Sequence, residues 1–263
     1  EPGCAQCYLP RTLAFDMMYG GPDTSIADEK SREIYNPNTK MKALVLWGTD
    51  PSYSNPAGGG QAIVTLRAKG VKTVVIDPRF IPEAQRADVW LPIRPGTDVA
   101  LMLGWMRYII DKKIYDEDFV MHWTNLPYLV NVETKMLVRA KDLDPKGDEK
   151  TYVVWDKKTK SPKAIKYPWD DALDPELDGE FEYQGKKYKT GFRCLKERVE
   201  PWTLEATAKE CWLDPKKIEE AIKIYADGPS GVSLGVATDQ TPNSVQAAMG
   251  AVILNALMGN VER

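Results

Sequence analysis

The chain has 263 residues, 43% hydrophobic and 28% charged, with a formal net charge of −3. That is enough for one large or two modest globular domains, and the mild acidity argues against non-specific nucleic-acid binding. No run approaches the roughly 20 apolar residues of a membrane span, four cysteines make no disulfide framework, and the single histidine, His122, argues against a Ser-His-Asp triad or a multi-histidine metal site.

Taken in chain order, apolar Leu9, Leu13, Phe15, Met17 and Met18 predict a helix over 8–20 that runs into a Gly20-Gly21-Pro22-Asp23 turn. A second helix is predicted over 25–35. A strand over 43–47 (Ala-Leu-Val-Leu-Trp) then leads through a Gly- and Pro-rich loop, 48–60, to a helix over 61–69 closed by Gly70. The next strand covers 73–76. A right-handed crossover makes these two strands parallel neighbours. A third apolar run, 89–93, precedes a helix over 99–110 that is apolar almost all round, as suits a helix packed between a sheet and another layer. A short helix follows over 116–123.

Residues 127–191 differ in character. They are rich in Lys, Asp and Glu, and two hairpins are predicted: 152–155 returning at 164–167, and 180–183 returning at 186–189 across Gln184-Gly185. Helices resume from Phe192, and Asp214-Pro215 marks a helix start. A strand over 232–236 and a small-residue helix over 244–258 close the chain. The expected architecture is α/β, a doubly wound, mostly parallel sheet with helices on both faces, Rossmann-like, formed by 1–126 and 192–263. The stretch 127–191 is a small β-rich insertion whose lysines read most simply as solvated surface. Both ends read as cut, so the sequence is expected to be a piece of a longer polypeptide, and its lack of a leader says nothing of compartment.

The chemistry concentrates where the apolar runs end. The first runs into Trp47-Gly48-Thr49-Asp50, the second into Asp77-Pro78-Arg79, the third into Gly96-Thr97-Asp98. Buried parallel strands read as such short apolar runs, and α/β proteins bind ligands just past their carboxyl ends. Any one of these acids could be a turn former or an N-cap. Three at consecutive strand ends instead point to carboxylates that accept from ribose hydroxyls or from the N–H edge of guanine. Gly58-Gly59-Gly60 adds amides able to approach phosphates, but the loop lacks the G-x-G-x-x-G of ordinary dinucleotide sites. Cys4 and Cys7 form a C-x-x-C, but no strand precedes it as a redox dithiol would need, and Cys194 and Cys211 are too far apart to complete a zinc site; a single thiolate on a soft transition metal is the third reading, and on the residues alone an inert cysteine is the simplest. His122, beside Trp123, reads as structural.

The combined order resembles one family closely. Cys7 and Pro10 open a helix reaching Gly20. Leu46-Trp47-Gly48-Thr49-Asp50-Pro51 follows with Asn55-Pro56, then Ile76-Asp77-Pro78-Arg79. Ala84-x-x-Ala87-Asp88-Val89-Trp90-Leu91-Pro92-Ile93-Arg94-Pro95-Gly96-Thr97-Asp98 leads to Tyr115-Asp116-x-x-Phe119. Val236-Ala237-Thr238-Asp239-Gln240-x-x-Asn243 and Leu257-Met258-Gly259-Asn260 also fit. This is similar to the molybdopterin-guanine-dinucleotide enzymes of the dimethyl sulfoxide reductase family, and in its turns to their acetylene hydratase-like branch.

The resemblance covers about 1–126 and 192–263. It implies the central cofactor-binding domain of a molybdenum or tungsten oxidoreductase of anaerobic metabolism, with a bis-molybdopterin guanine dinucleotide cofactor. Cys7 falls where the family places its metal ligand, and so is the implied catalytic residue. Trp47, Gly48, Thr49, Asp50 and Asn55 match the loop that meets the dinucleotide's phosphates and ribose. Asp77, Pro78, Arg79, Gly96, Thr97 and Asp98 match the turns that hold its guanosine. A 4Fe-4S cluster is implied in the parent protein outside this piece, which alone is expected to be inactive. The implied partners are a small-molecule substrate, the remaining domains of the same polypeptide and an iron–sulfur electron-transfer subunit, with no nucleic acid. Non-redox hydration, reductive dehydroxylation and a non-catalytic nucleotide-binding relative are the alternatives. Location, cytoplasmic or exported by a twin-arginine signal, is left open.

Overall fold

A computed structural model describes residues 9–20, 34, 36, 38–165 and 172–261. Cys4, Cys7 and nearly all of the helix predicted over 25–35 lie outside the described residues. The described chain forms two compact units: one holds the residues up to Tyr115 and from Pro201 onward, the other is Asp116–Glu200.

The first unit is built on four strands: β1 (Ala43–Trp47), β2 (Lys72–Ile76), β3 (Val89–Leu91) and β9 (Ser230–Leu234). They lie in the order β3-β2-β1-β9, every pair parallel. β1 and β9 are buried along their whole length. That explains why they carry continuous apolar or small residues with no alternation. On one face, Leu44, Leu46 and Val75 pack against Ala62, Ile63 and Leu66 of α3 (Gln61–Ala68). On the other, the rings of Trp47, Trp105 and Tyr225 form a tilted series with centroids 5.7 and 5.6 Å apart. Trp105 belongs to α4 (Asp98–Asp111) and Tyr225 to α9 (Pro215–Ala226), with α8 (Leu204–Cys211) packed against both helices. Each such aromatic pair contributes about 1 kcal/mol beyond its buried area. Helices thus cover both faces, as the sequence predicts. α1 (Leu9–Tyr19) packs on α11 (Ser244–Leu257), which also contacts α4 and β9.

The strand order decides where a ligand can sit. From β1 the chain winds outward through β2 and β3, then crosses to the opposite side of β1 to form β9. The direction of winding therefore reverses between β1 and β9, and a crevice opens past their carboxyl ends. There the two backbones approach closely. Gly235 donates its N–H to the Trp47 carbonyl at 2.8 Å, and a Cβ on Gly235 would fall 1.9 Å from the Gly48 carbonyl oxygen. Gly48 itself adopts φ +63° to turn out of the sheet.

Two boundaries differ from expectation. The strand predicted over 232–236 lies two residues earlier, because Gly235 ends it and Val236 opens the short helix α10 (Val236–Asp239). The loop predicted over 48–60 is instead helical. It holds α2 (Pro51–Ser54) and a π-helical turn, Pro56–Gly60, each started by a proline at its first position.

The second unit, Asp116–Glu200, contains α5 (Glu117–Trp123), β4 (Leu129–Asn131), the short α6 (Ala140–Leu143), β5 (Val153–Asp156), β6 (Ser161–Ala164), β7 (Glu180–Tyr183), β8 (Lys186–Thr190) and α7 (Gly191–Val199). The β7–β8 hairpin turns at Gln184-Gly185, both at positive φ, as the sequence predicts. β4 joins the far side of β8 as a third strand. The other hairpin returns at Ser161, three residues before the predicted position. Its turn is tighter because the Asp156 carboxylate accepts from the Thr159 amide and hydroxyl and Lys160 takes φ +50°.

Candidate functional site

The carboxyl edge of the parallel sheet gathers most of the residues singled out in the sequence. Asp50 follows β1 at the N-cap position of α2, yet its carboxylate makes no capping bond. Asp77 ends β2, and its Oδ1 accepts from the amide of Arg79 at 2.8 Å and from its Nε at 3.3 Å. The Arg79 guanidinium, two-thirds exposed, also reaches Asp50 Oδ2 at 3.7 Å. One solvated cation is thus held across the ends of β1 and β2 by two acids that are themselves largely buried.

Asp98 and Trp47 form a second constellation. The indole Nε1 of Trp47 donates to Asp98 Oδ1 at 2.8 Å, and both residues are buried. Asp98 is the first residue of α4, and Thr97 before it turns its hydroxyl back to the Arg94 carbonyl at 2.7 Å. Gly96, at φ +84°, makes the turn that precedes them. Burial raises the Asp98 carboxyl above the usual carboxylate range, opposed by the Trp47 hydrogen bond. Trp47 has no exposed surface, so its side chain serves the edge by holding Asp98.

Asn55 organises the glycine run. Its side-chain oxygen accepts from the Gly58 amide at 3.2 Å, and its carbonyl accepts from Gly58 and Gly60. Two of the amides expected to be available to a phosphate are therefore engaged within the loop. Thr49 is buried beside Asp50, whereas Pro78 is exposed between Asp77 and Arg79. Cys7 is outside the described residues.

Sequence reasoning missed two features of this edge. Arg11 of α1 is buried and pairs with Asp239 of α10, Nη2 to Oδ2 at 2.7 Å and Nε to both oxygens at 3.1–3.2 Å, and also bonds the Leu234 carbonyl. The pair ties α1 to the end of β9. An arginine inside an apolar helix stripe was the available signal. The second is Glu83, 1% exposed, whose Oε1 accepts the Ser52 amide at 2.8 Å. His122 is half exposed, its ring nitrogen 2.9 Å from the Asp118 carbonyl one turn earlier in α5, as a structural histidine would be. A cleft of about 280 Å³ lined by Arg107, Tyr108, Trp202 and Glu219 contains none of the edge residues.

Comparison with known proteins follows the same lines. A family model described as molybdopterin oxidoreductase matches residues 12–263. A putative dimethyl sulfoxide reductase catalytic subunit from Halobacterium salinarum is 32% identical over 212 residues, 80% of this chain and 24% of that protein. Dopamine dehydroxylase of Eggerthella lenta is 37% identical over 109 residues, 41% of this chain and 10% of that protein. The solved structure of acetylene hydratase from Pelobacter acetylenicus superposes with a TM-score of 0.63 at 22% identity, covering 97% of this chain and 25% of that one. The chain thus spans about a quarter or less of the length of these relatives. Because the family model matches residues 12–263, the chain belongs to the molybdopterin oxidoreductase family.

Proposed function

We propose that this chain is the part of a molybdenum or tungsten enzyme's catalytic subunit that holds the guanosine end of one molybdopterin guanine dinucleotide, with Cys7 as a ligand of the metal. The observation that carries the reading is the clamp of Asp50, Arg79 and Asp77 across adjacent strand ends, beside the point where the winding of the sheet reverses. The donor set fits such a group. Asp77 spends one carboxylate oxygen on Arg79 and keeps the other for a hydroxyl or N–H donor. The exposed guanidinium offers planar N–H donors and a flat face to a purine or phosphate. A neutral sugar would have no use for that cation.

The bound metal and its pterins would supply the redox chemistry. What the chain's own residues do is bind and orient. Trp47 fixes Asp98, Asn55 shapes the turn that leads into α3, and Arg11 with Asp239 anchors the helix that begins two residues after Cys7. In the parent protein the reaction is oxygen-atom or electron and proton transfer on a small molecule, with an iron–sulfur partner to carry electrons. The likeness to dopamine dehydroxylase favours reductive removal of a hydroxyl as the second reading.

The test is analysis of the purified full-length protein. Molybdenum or tungsten should co-purify with pterin, and acid hydrolysis should release guanine nucleotide. A protein without metal and pterin would overturn the enzyme reading, and pterin without guanine nucleotide would overturn the guanosine clamp. Arg79→Ala should lower the nucleotide content, while Cys7→Ala should leave it intact and change the metal's spectrum.

A further inference from the structure

The edge contains an electrostatic mismatch that the nucleotide reading leaves unused. Glu83 stands just before the 3-10 turn Ala84–Arg86, in the loop after β2, and is almost wholly buried. One of its oxygens accepts the Ser52 amide. The other, Oε2, is buried with no donor among the described residues, and so is Oδ1 of Asp50. The Ser52 amide that Glu83 accepts lies in the first turn of the helix that Asp50 opens, so both carboxyl groups sit at the start of α2. Two ionised carboxylates have only acceptors to offer, and a buried oxygen left without a donor costs about 1–3 kcal/mol.

The surrounding charges do not resolve this. Arg79 meets Asp50 at the other oxygen, Oδ2, and is mostly solvated. Asp77, from the same turn, adds negative charge and is occupied by Arg79. Arg67 of α3 gives its Nη2 to the Glu83 backbone carbonyl at 2.8 Å and its Nε to the Thr73 hydroxyl, not to the carboxylate. The Arg67 charge does attract the Glu83 carboxylate without bonding it, is shared with Asp88 and is opposed by Arg86. Pro51 and Ser52, from α2, carry no charge.

We infer that Asp50 and Glu83 share one proton, and that this proton latches the loop after β1 to the loop after β2. A single proton between Asp50 Oδ1 and Glu83 Oε2 supplies the missing donor and leaves the pair with one negative charge, which Arg79 faces. Burial raises the Asp50 carboxyl, and the neighbouring Glu83 charge raises it further. Glu83 is then a positioning residue: it sets Asp50, and through Asp50 the guanidinium of Arg79. The latch belongs to the folded chain whatever ligand the edge holds. Asp50 binds its proton more tightly in the folded chain than in the unfolded one. The latch is therefore complete at low pH and is lost as pH rises through the raised folded value of Asp50.

Hydrogen exchange of the peptide covering 48–60 in the full-length protein, followed against pH and corrected for intrinsic exchange, tests this. In the wild-type protein, protection should fall roughly tenfold as pH rises from the ordinary carboxylate range to well above it, the loss of one shared proton. Glu83→Gln carries its own N–H donor toward Asp50 and keeps an acceptor for Ser52, so its protection should be flat over that range. Asp50→Asn, which donates from the other side, should be flat as well. Glu83→Ala should lose protection at every pH. A flat wild-type profile, or an unchanged slope in either amide variant, overturns the shared proton. So does protection that a chelator abolishes, because a bound divalent cation would then fill the gap. The readout needs no nucleotide, so its failure and failure of the guanosine clamp are separate results.

Discussion

The two units handle charge in opposite ways. In the sheet unit, the most buried charged groups meet partners far along the chain: Arg11 and Asp239 are 228 positions apart, and Glu83 bonds Ser52 from 31 positions away. In the Asp116–Glu200 unit, the buried carboxylate Asp156 is held by Thr159 and the Asp174 amide, and the ion pairs are more exposed and join residues closer in the chain. Lys141 meets Glu149 eight positions on, Lys189 meets Glu197 eight positions on, and Lys196 meets Asp178 across 18. Local pairing between exposed groups shapes turns and adds little stability. Long-range pairing of buried groups fixes the relation between elements, which is what a site assembled from several strand ends requires. The contrast agrees with the proposal that the carboxyl edge, and not the lysine-rich unit, forms the binding site.

The sharpest way to break that contrast is to cut the most buried pair. Asp239→Ala removes the buried carboxylate that Arg11 pairs with and should cost about 3–5 kcal/mol, measured as the loss in the unfolding transition of the full-length protein. A loss no larger than that of a surface pair would mean that water reaches Arg11 and that the two units do not differ in kind. Next is Gly235→Ala. The added Cβ would overlap the Gly48 carbonyl oxygen, so β1 and β9 must separate at the crevice, at a cost of about 3 kcal/mol. The same variant should lower nucleotide content in the holoprotein, whereas an alanine at Gly185, in open space at the hairpin tip, should leave nucleotide content untouched.

How far the sequence displays these features depends on the range of the interaction behind them. β1, β2 and the helix after each were legible because a parallel strand buried on both faces needs a continuous apolar run, and Gly70 stops α3 on its own. The β7–β8 hairpin was legible from Gln184-Gly185. Asp50, Asp77 and Asp98 could be placed on one edge because each follows such a run. What could not be read is what depends on the crossover between distant segments. Gly235 ends β9 only because Gly48 is in the way, β4 pairs with β8 across some sixty positions, and Glu83 meets Asp50 only once β1 and β2 lie side by side. The indole of Trp47 turned toward Asp98 belongs to the same class, since it needs α4 laid across the end of β1.

A pH titration of stability sharpens the comparison, because one carboxylate from each unit moves in the opposite direction. Asp98 is raised by burial, so its contribution is present below the ordinary carboxylate range and is lost as pH rises through the higher folded value. Asp156 is lowered to about 2, chiefly by the Thr159 hydroxyl and then by the Asp174 amide, so its contribution is present above the ordinary range and is lost only as pH falls toward about 2. Trp47→Phe removes the hydrogen bond that favours the ionised form of Asp98. It should destabilise the sheet unit by about 2 kcal/mol at neutral pH and by less in mild acid. Asp156→Asn should loosen only the β5–β6 turn, seen as faster exchange over 156–161.

The smallest expected effect is the most direct check on the surface side of the contrast. Lys141 and Glu149 meet at 2.7 Å, a distance that in the sheet unit would signal a strong partner. Here both side chains are about half exposed or more, and each attraction must compete with water and with the entropy of two long side chains. Lys141→Ala should therefore leave the unfolding transition where it is, in low salt and in high. A clear loss that salt removes would show that this short distance carries real energy. Proximity, and not burial, would then separate the pairs that hold this chain together from those that decorate it.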